Sequence, residues 1–184
     1  MKGNAEGNRQ GAYDSDEFSL LIGEVMKQDP EAFEKSFEEN RLDFKNMSQH
    51  MGRSRIRVRT VYACNVHPTV RRHKLGNLEK DVRGELIEQV RKNGWKLGAD
   101  IKYDKLARLP MFKGHNSLTL QSLYSGLLVS TMNRLRGKST REVTLEQVEE
   151  WWNSTTRYTK SVDLIEKEEQ IVEAYYKIKQ TTYQ

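Results

Sequence analysis

The sequence predicts an α+β fold that is rich in helices and contains a small antiparallel sheet, with strands near residues 53–66 and 95–103. Arginines alternate with other residues in the first of these segments, and apolar residues alternate with polar ones in the second. A period of two is typical of strands. Elsewhere apolar residues recur every three or four positions, as in amphipathic helices. The predicted order is two helices, a strand, a helix, one or two strands and three helices.

Charge is distributed unevenly along the 184 residues. Residues 1–50 contain six Lys/Arg and eleven Asp/Glu, residues 51–113 contain sixteen and six, and residues 114–184 contain nine of each. A basic block of this kind indicates a polyanionic partner. The acidic segment before it suggests masking of the basic block, within one chain or between copies.

Three regions follow from these patterns. Residues 1–13 are rich in Gly, Asn, Gln and charge, which predicts a disordered N-terminal segment. Residues 14–50 are predicted to form an acidic helical arm. Residues 51–184 are predicted to form a basic α+β core that ends in three helices.

The arm contains two predicted helices. Asp14 or Ser15 is predicted to cap the first, and Asp14 with Glu17 resembles a capping box. Asp29-Pro30-Glu31 begins the second, since Asp caps and Pro suits the first helical position. The second helix is expected to end before Gly52. Apolar residues at helical spacing support both helices: Phe18, Leu21, Ile22, Val25 and Met26 in the first, and Phe33, Phe37, Phe44 and Met47 in the second.

The alternating arginines Arg53, Arg55, Arg57 and Arg59 are the most informative feature of the chain. On a strand all four guanidiniums would face one way, spaced by about 6.8 Å, close to the spacing of phosphates on an extended nucleic-acid strand. Planar guanidinium forks match phosphate oxygens. The alternative is an edge strand that is protected from aggregation by charge.

Further basic residues extend this predicted nucleic-acid-binding face. They lie in the loops after the arginine strand and before the third predicted helix from the end: Arg71, Arg72, Lys74, Arg108 and Lys113. Phe112, beside Lys113 and His115 in a predicted loop, is the candidate for stacking on a base. Tyr62, Trp95 and Tyr103 fall on the apolar faces of predicted strands, which favours core packing for them.

Helices account for the rest of the chain. One runs from a cap at Asn77 to Asn93-Gly94, and another from Asn116 or Ser117 to Gly137. Thr144 and Gln147 form a capping box for the next, and the last spans about 161–179. The adjacent pairs Trp151-Trp152 and Tyr175-Tyr176 indicate either a self-association surface or a wide apolar stripe between packed helices, and both interpretations stay open.

No catalytic or cofactor-binding motif is present in the sequence, so we predict a protein that is not an enzyme and binds no cofactor. Cys64, His67 and His73, with His115 or His50, match no common zinc pattern, so no metal site is predicted. The single cysteine favours a reducing, intracellular location, cytoplasmic or nuclear. The sequence contains no run of eighteen apolar residues, so no transmembrane segment is predicted.

The leading hypothesis is a non-enzymatic nucleic-acid-binding protein, with RNA favoured over DNA, that contacts the backbone and self-associates as in a viral nucleocapsid or matrix-type assembly. One alternative is a peripheral protein that binds anionic membrane surfaces, with Leu109–Phe112 as the loop that inserts. Another is a protein–protein adaptor that uses Phe33, Phe37 and Phe44, or Trp151 and Trp152, as its contact surface.

Overall fold

The computed structural model describes residues 11–137, 139–155 and 160–182. Within these residues there is no β-strand, and the only extended pairing is an isolated antiparallel bridge between Leu97 and Thr144. The predicted α+β fold with a small antiparallel sheet is therefore wrong. The α-helices of the described residues are α1 Ser15–Gln28, α2 Phe44–Met51, α3 Arg55–Val61, α4 His67–Lys74, α5 Arg83–Lys92, α6 Tyr103–Ala107, α7 Ser117–Leu135, α8 Leu145–Ser154 and α9 Val162–Thr182.

The chain divides into two compact units. Unit 1 is built from Met1–Leu78 and Lys160–Gln184, and unit 2 from Glu79–Thr159. The acidic segment 14–50 thus belongs to the same unit as the arginine segment and the last helix. Within unit 1, the Lys160 ammonium donates a 3.0 Å hydrogen bond to the Leu78 carbonyl oxygen, where the chain leaves and re-enters the unit.

The core of unit 1 lies where α1 packs on α9 and where α2, α3 and α4 close around them. The predicted cap of α1 is confirmed, because the Asp14 carboxylate accepts a 2.8 Å hydrogen bond from the Glu17 amide. Residues 1–10 of the segment predicted to be disordered lie outside the described residues. Tyr13, in the same segment, is buried, and its ring centroid lies 5.7 Å from that of Phe18.

The segment after α1 is less regular than the long acidic helix that the sequence predicts. Short 3₁₀ turns at Ala32–Glu34 and Phe37–Glu39 precede α2. Ser36 and Glu39 form a capping box around the second turn, and Asp43 caps α2 by accepting a hydrogen bond from the Asn46 amide. Polar side chains that bond nearby backbone amides compete with helix propagation, so the helix begins late.

Residues 53–66, predicted to be a strand, are helical. Gly52 ends α2 in the left-handed conformation, with φ 62°, and Ser54 caps α3. A π-helical turn, Tyr62–Val66, joins α3 directly to α4. Pro68 does not break this run, and it lies in the first turn of α4, directly after the π-helical turn.

In unit 2, helices α5, α6 and α8 pack against α7, whose buried residues lie at the centre of the core. The predicted caps of α7 and α8 are confirmed. The Asn116 side chain accepts from the Thr119 amide at 3.0 Å, and the Thr144 hydroxyl accepts from the Gln147 amide at 3.3 Å.

The segment 95–103 forms no strand either. A 3₁₀ turn occupies Gly98–Asp100, and the Asp100 carboxylate accepts a 3.0 Å hydrogen bond from the Leu97 amide. A Cβ atom at Gly98 would lie 2.9 Å from the end of the Leu128 side chain, which would have to shift to accept a larger residue. The alternation of apolar and polar residues in this segment therefore belongs to a turn that packs against α7 and to the start of α6.

Candidate nucleic-acid interface

Helix α3 presents three arginines to solvent. Val58 and Val61 are buried against the core of unit 1, whereas Arg55, Arg57 and Arg59 are exposed. At 100° per residue, Arg55 and Arg59 lie one turn apart on one side of Ile56, and Arg57 lies on the other side. Ile56, 79% exposed, therefore lies at the centre of this surface. We call Arg55, Ile56, Arg57 and Arg59 the arginine face.

The arginine face lies in a segment of the sequence that contains no acidic residue. Among the residues that the structure describes, no guanidinium of Arg55, Arg57 or Arg59 makes an ion pair or a hydrogen bond. Residues 51–78 contain seven Lys/Arg and no Asp/Glu. The three charges therefore remain available for an external anion.

Arg53 does not belong to this face. Its side chain is buried, and its guanidinium donates hydrogen bonds of 2.7 Å to both carboxylate oxygens of Glu17 and one of 2.9 Å to the Gly11 carbonyl. The guanidinium also lies 4.5 Å from the centroid of the Tyr13 ring. Hydrogen bonding to Glu17 raises the pKa of Arg53. Arg53 thus anchors α1 to the start of the arginine segment, and the four-arginine ladder of the strand prediction does not exist.

The basic residues of α4 have internal partners. Arg72 donates a 2.6 Å hydrogen bond to the Leu78 carbonyl. Lys74 forms an ion pair with Glu34 and donates a 3.0 Å hydrogen bond to the Tyr175 hydroxyl. Arg71 is partly buried and lies 3.5 Å from the Phe33 carbonyl oxygen. These contacts stabilise unit 1, so Arg72 and Lys74 are poorly placed to contact a ligand.

The remaining predicted contact residues lie in unit 2. Arg108 and Lys113 are exposed. Phe112 is completely buried in the core of unit 2, at the end of a 3₁₀ turn that begins at Pro110. It therefore cannot stack on a base in this conformation. Leu109 and Met111 pack against the same core, which leaves no apolar loop here for membrane insertion.

The aromatic pairs differ in exposure. Trp151 and Trp152 are partly buried against the core of unit 2, and the Arg83 guanidinium lies 4.9 Å from the Trp152 ring centroid. Tyr175 is buried in the core of unit 1, whereas Tyr176 is 43% exposed. Of the four residues, Tyr176 presents most of its surface to solvent. Self-association through these residues stays a prediction.

The sequence candidates for a zinc site have other surroundings. His67 is buried, and its Nε2 donates to the carbonyl oxygens of Ala32 and Lys35, at 3.2 and 3.0 Å. Burial raises the pKa of the Cys64 thiol, which opposes formation of a thiolate ligand. Among the described residues, no group of three or more His, Cys, Asp or Glu is arranged to hold a metal ion.

A cleft beside α3 was not predicted from the sequence. It has a volume of about 240 Å³ and is partly open to solvent, and the residues that define its character are Tyr13, Phe18, Arg57, Asp163, Glu166 and Lys167. Lys167 lies in the stripe of α9 that continues through the buried residues Ile171 and Ala174. A lysine at that spacing within an apolar stripe is the signal by which the sequence could have identified it.

Comparisons of the chain with models of protein families, with curated proteins and with solved structures found no significant match. No helix in the described parts of the chain combines the length and the apolarity that crossing a membrane requires.

Proposed function

We propose that this is a non-enzymatic RNA-binding protein whose arginine face contacts the phosphate backbone. The observation that carries the proposal is the group of three exposed arginines on a seven-residue helix, without an ion pair among the described residues. Like charges held this close repel one another, and a polyanion would relieve that repulsion.

The geometry of a helix suits backbone contacts. The Cβ atoms of residues one turn apart, such as Arg55 and Arg59, are separated by about 5–6 Å, which is near the separation of successive phosphates. Guanidinium groups bind phosphate oxygens in a bidentate manner. Ile56, between them, has no hydrogen-bonding group for reading base edges. Binding should therefore depend little on sequence, as for proteins that contact phosphates alone.

The proposal is tested by fluorescence-anisotropy titration of a labelled single-stranded RNA and of a duplex, at several salt concentrations. The test variant is Arg55→Glu/Arg59→Glu. The matched control is Lys45→Glu/Lys177→Glu, which changes the net charge equally at two exposed lysines of unit 1. We expect the affinity of the test variant for RNA to fall at least tenfold and that of the control to change less than threefold. Equal losses in both variants, with folding verified by circular dichroism, would reject the arginine face as the binding site.

One observation favours a second candidate function, binding to anionic membrane surfaces. Ile56 is 79% exposed among three arginines, and surface-binding helices combine apolar residues with cations. Co-sedimentation with phosphatidylserine vesicles distinguishes the two functions. Sedimentation that depends on Ile56, together with no RNA binding, would replace the RNA proposal by the membrane one.

A further inference from the structure

The cleft beside α3 contains two cations that come from different helices. Arg57 is contributed by α3 and Lys167 by α9. Lys167 is half-buried, and its pKa is lowered. The larger cause is burial, and the second is the nearby positive charge of Arg57. Two cations close enough to influence each other constitute a site that a compact anion would stabilise.

The same cleft also contains two carboxylates. Asp163 and Glu166 also line it and are exposed, but among the described residues they make no ion pair with Arg57 or Lys167. The cleft therefore presents both positive charge and hydrogen-bond acceptors. A ligand that fits it carries an anionic group together with hydroxyl groups that donate.

The apolar wall limits the size of the ligand. Tyr13 and Phe18 line the cleft, and the buried Tyr13 hydroxyl has no hydrogen-bond partner among the residues that the structure describes. The volume of about 240 Å³ is below the range of roughly 300–1,000 Å³ that is usual for drug-sized ligands. A phosphorylated sugar is of suitable size, whereas the remainder of a longer ligand would extend into solvent.

We propose that this cleft binds the terminal phosphate of an RNA strand, with the phosphate monoester between Arg57 and Lys167 and the attached ribose beside Asp163 and Glu166. The inference rests on the proposed RNA-binding function and adds a preference for strand ends. A terminal monoester carries nearly two negative charges at neutral pH, whereas an internal diester carries one. It therefore matches two cations better.

The carboxylates explain why an end is preferred to the middle of a strand. A strand that passed through the cleft would bring a phosphate on each side of the bound one toward Asp163 and Glu166, and like charges would repel. At an end there is a neighbouring phosphate on one side only. Ribose hydroxyls donate to carboxylates, so the same two residues favour the terminal sugar.

The experiment compares three labelled RNAs of identical sequence, with a 5′-phosphate, a 3′-phosphate or hydroxyls at both ends. Anisotropy titrations use the full chain and the variants Lys167→Met, Lys167→Arg and Arg55→Glu/Arg59→Glu. We expect at least fivefold tighter binding of one phosphorylated RNA. The preference should be lost in Lys167→Met and retained in Lys167→Arg, which keeps the charge. Arg55→Glu/Arg59→Glu should weaken all three RNAs and preserve the ratio.

Failure of the inference and failure of the proposed function give different results. Equal affinities for the three RNAs, with binding that still depends on Arg55 and Arg59, would overturn the terminal-phosphate site and leave RNA binding intact. Absence of binding to all three would overturn both. A nucleoside monophosphate titrated by calorimetry gives an independent measurement, and binding of a phosphoserine peptide in its place would overturn the assignment to RNA.

Discussion

The guanidinium of Arg53 donates two hydrogen bonds of 2.7 Å to the carboxylate of Glu17, 36 residues earlier in the chain. Arg53 is only 4% exposed. Removing one partner from a buried ion pair leaves an uncompensated charge, which costs about 3–5 kcal/mol. We therefore expect Glu17→Gln to lower the free energy of unfolding by about that amount in urea titrations. Asp16→Asn, which alters an exposed carboxylate in the same turn, is the control and should cost less than about 1 kcal/mol. Similar small costs for both would show that the pair contributes little.

Ser54 tests the helical assignment of the arginine segment. Its hydroxyl accepts a hydrogen bond from the Arg57 amide at the start of α3. Loss of an N-cap costs about 1 kcal/mol, and aspartate is as good a cap as serine. We expect Ser54→Ala to lower the free energy of unfolding by about 1 kcal/mol and Ser54→Asp to leave it nearly unchanged. A strand in this segment would make both substitutions nearly neutral, so urea denaturation followed by circular dichroism separates the two structures.

His67 should make unit 1 sensitive to acid. Burial lowers its pKa to about 4, below the ordinary value of about 6.5. As the pH falls, the unfolded chain therefore takes up a proton before the folded chain does. The contribution of neutral His67 to the free energy of unfolding, roughly 3 kcal/mol relative to acidic pH, is complete above about pH 6.5. It is lost as the pH falls from that value toward 4.

The measurement for His67 is the free energy of unfolding at a series of pH values between 4 and 7. His67→Gln should be less stable at pH 7 and should show a flatter pH dependence than the unmodified chain. His73→Gln serves as the control, and most of the dependence should persist in it. A pH dependence that is unchanged in His67→Gln would refute the prediction.

Phe112 should matter for stability and not for binding. Its side chain is completely buried among the residues of unit 2, and truncation of a buried phenylalanine costs about 3–5 kcal/mol. We expect Phe112→Ala to lower the midpoint of urea unfolding strongly, while RNA affinity under folding conditions remains unchanged. Phe112→Leu keeps most of the side-chain volume, so its urea midpoint should lie between those of the unmodified chain and Phe112→Ala. A large loss of RNA affinity in a variant of normal stability would restore a stacking role.

The salt dependence of RNA binding counts the phosphate contacts. Three arginines predict a log–log slope of about −2.1 on single strands, whereas the four-arginine ladder would give about −2.8. The sharper test is a difference between variants, because other cations can add to the slope. Arg55→Gln/Arg59→Gln should reduce the magnitude of the slope by about 1.4, and Lys45→Gln/Lys177→Gln should leave it nearly unchanged. Equal reductions in the two variants would indicate attraction to net charge alone.

Local signals in the sequence were sufficient where the structure is local. Caps were predicted at Asp14 or Ser15, at Asn116 or Ser117, and at Thr144, and the structure forms them with Asp14, Asn116 and Thr144. They could be predicted because a cap requires only residues within one turn. The apolar stripes that begin at Phe18 and Leu120 likewise identified core helices. These features depend on spacing alone.

The strand prediction for residues 53–66 was wrong because the same residues carry both a period of two and a helical period. The arginines alternate, but Val58, Val61 and Tyr62 recur at three and four positions and are the residues that the core buries. Burial of these apolar residues decides the conformation, because exposed arginines are compatible with either a helix or a strand. Pairing of Arg53 with Glu17, and the approach of Lys167 to Arg57, depend on contacts between distant segments. No local pattern in the sequence reports such contacts.

The hydrogen bond from Lys160 to the Leu78 carbonyl has a consequence for the order of folding. Unit 1 is assembled from two stretches of chain, and α9 reaches α1 only after residues 79–159 have been spanned. Closing a loop costs entropy that grows with its length. Collapse of unit 2 would shorten the effective loop, so its contacts lower the entropic barrier to joining α1 and α9. Substitutions in the core of unit 2 are thereby expected to slow the formation of unit 1, without touching any of its residues.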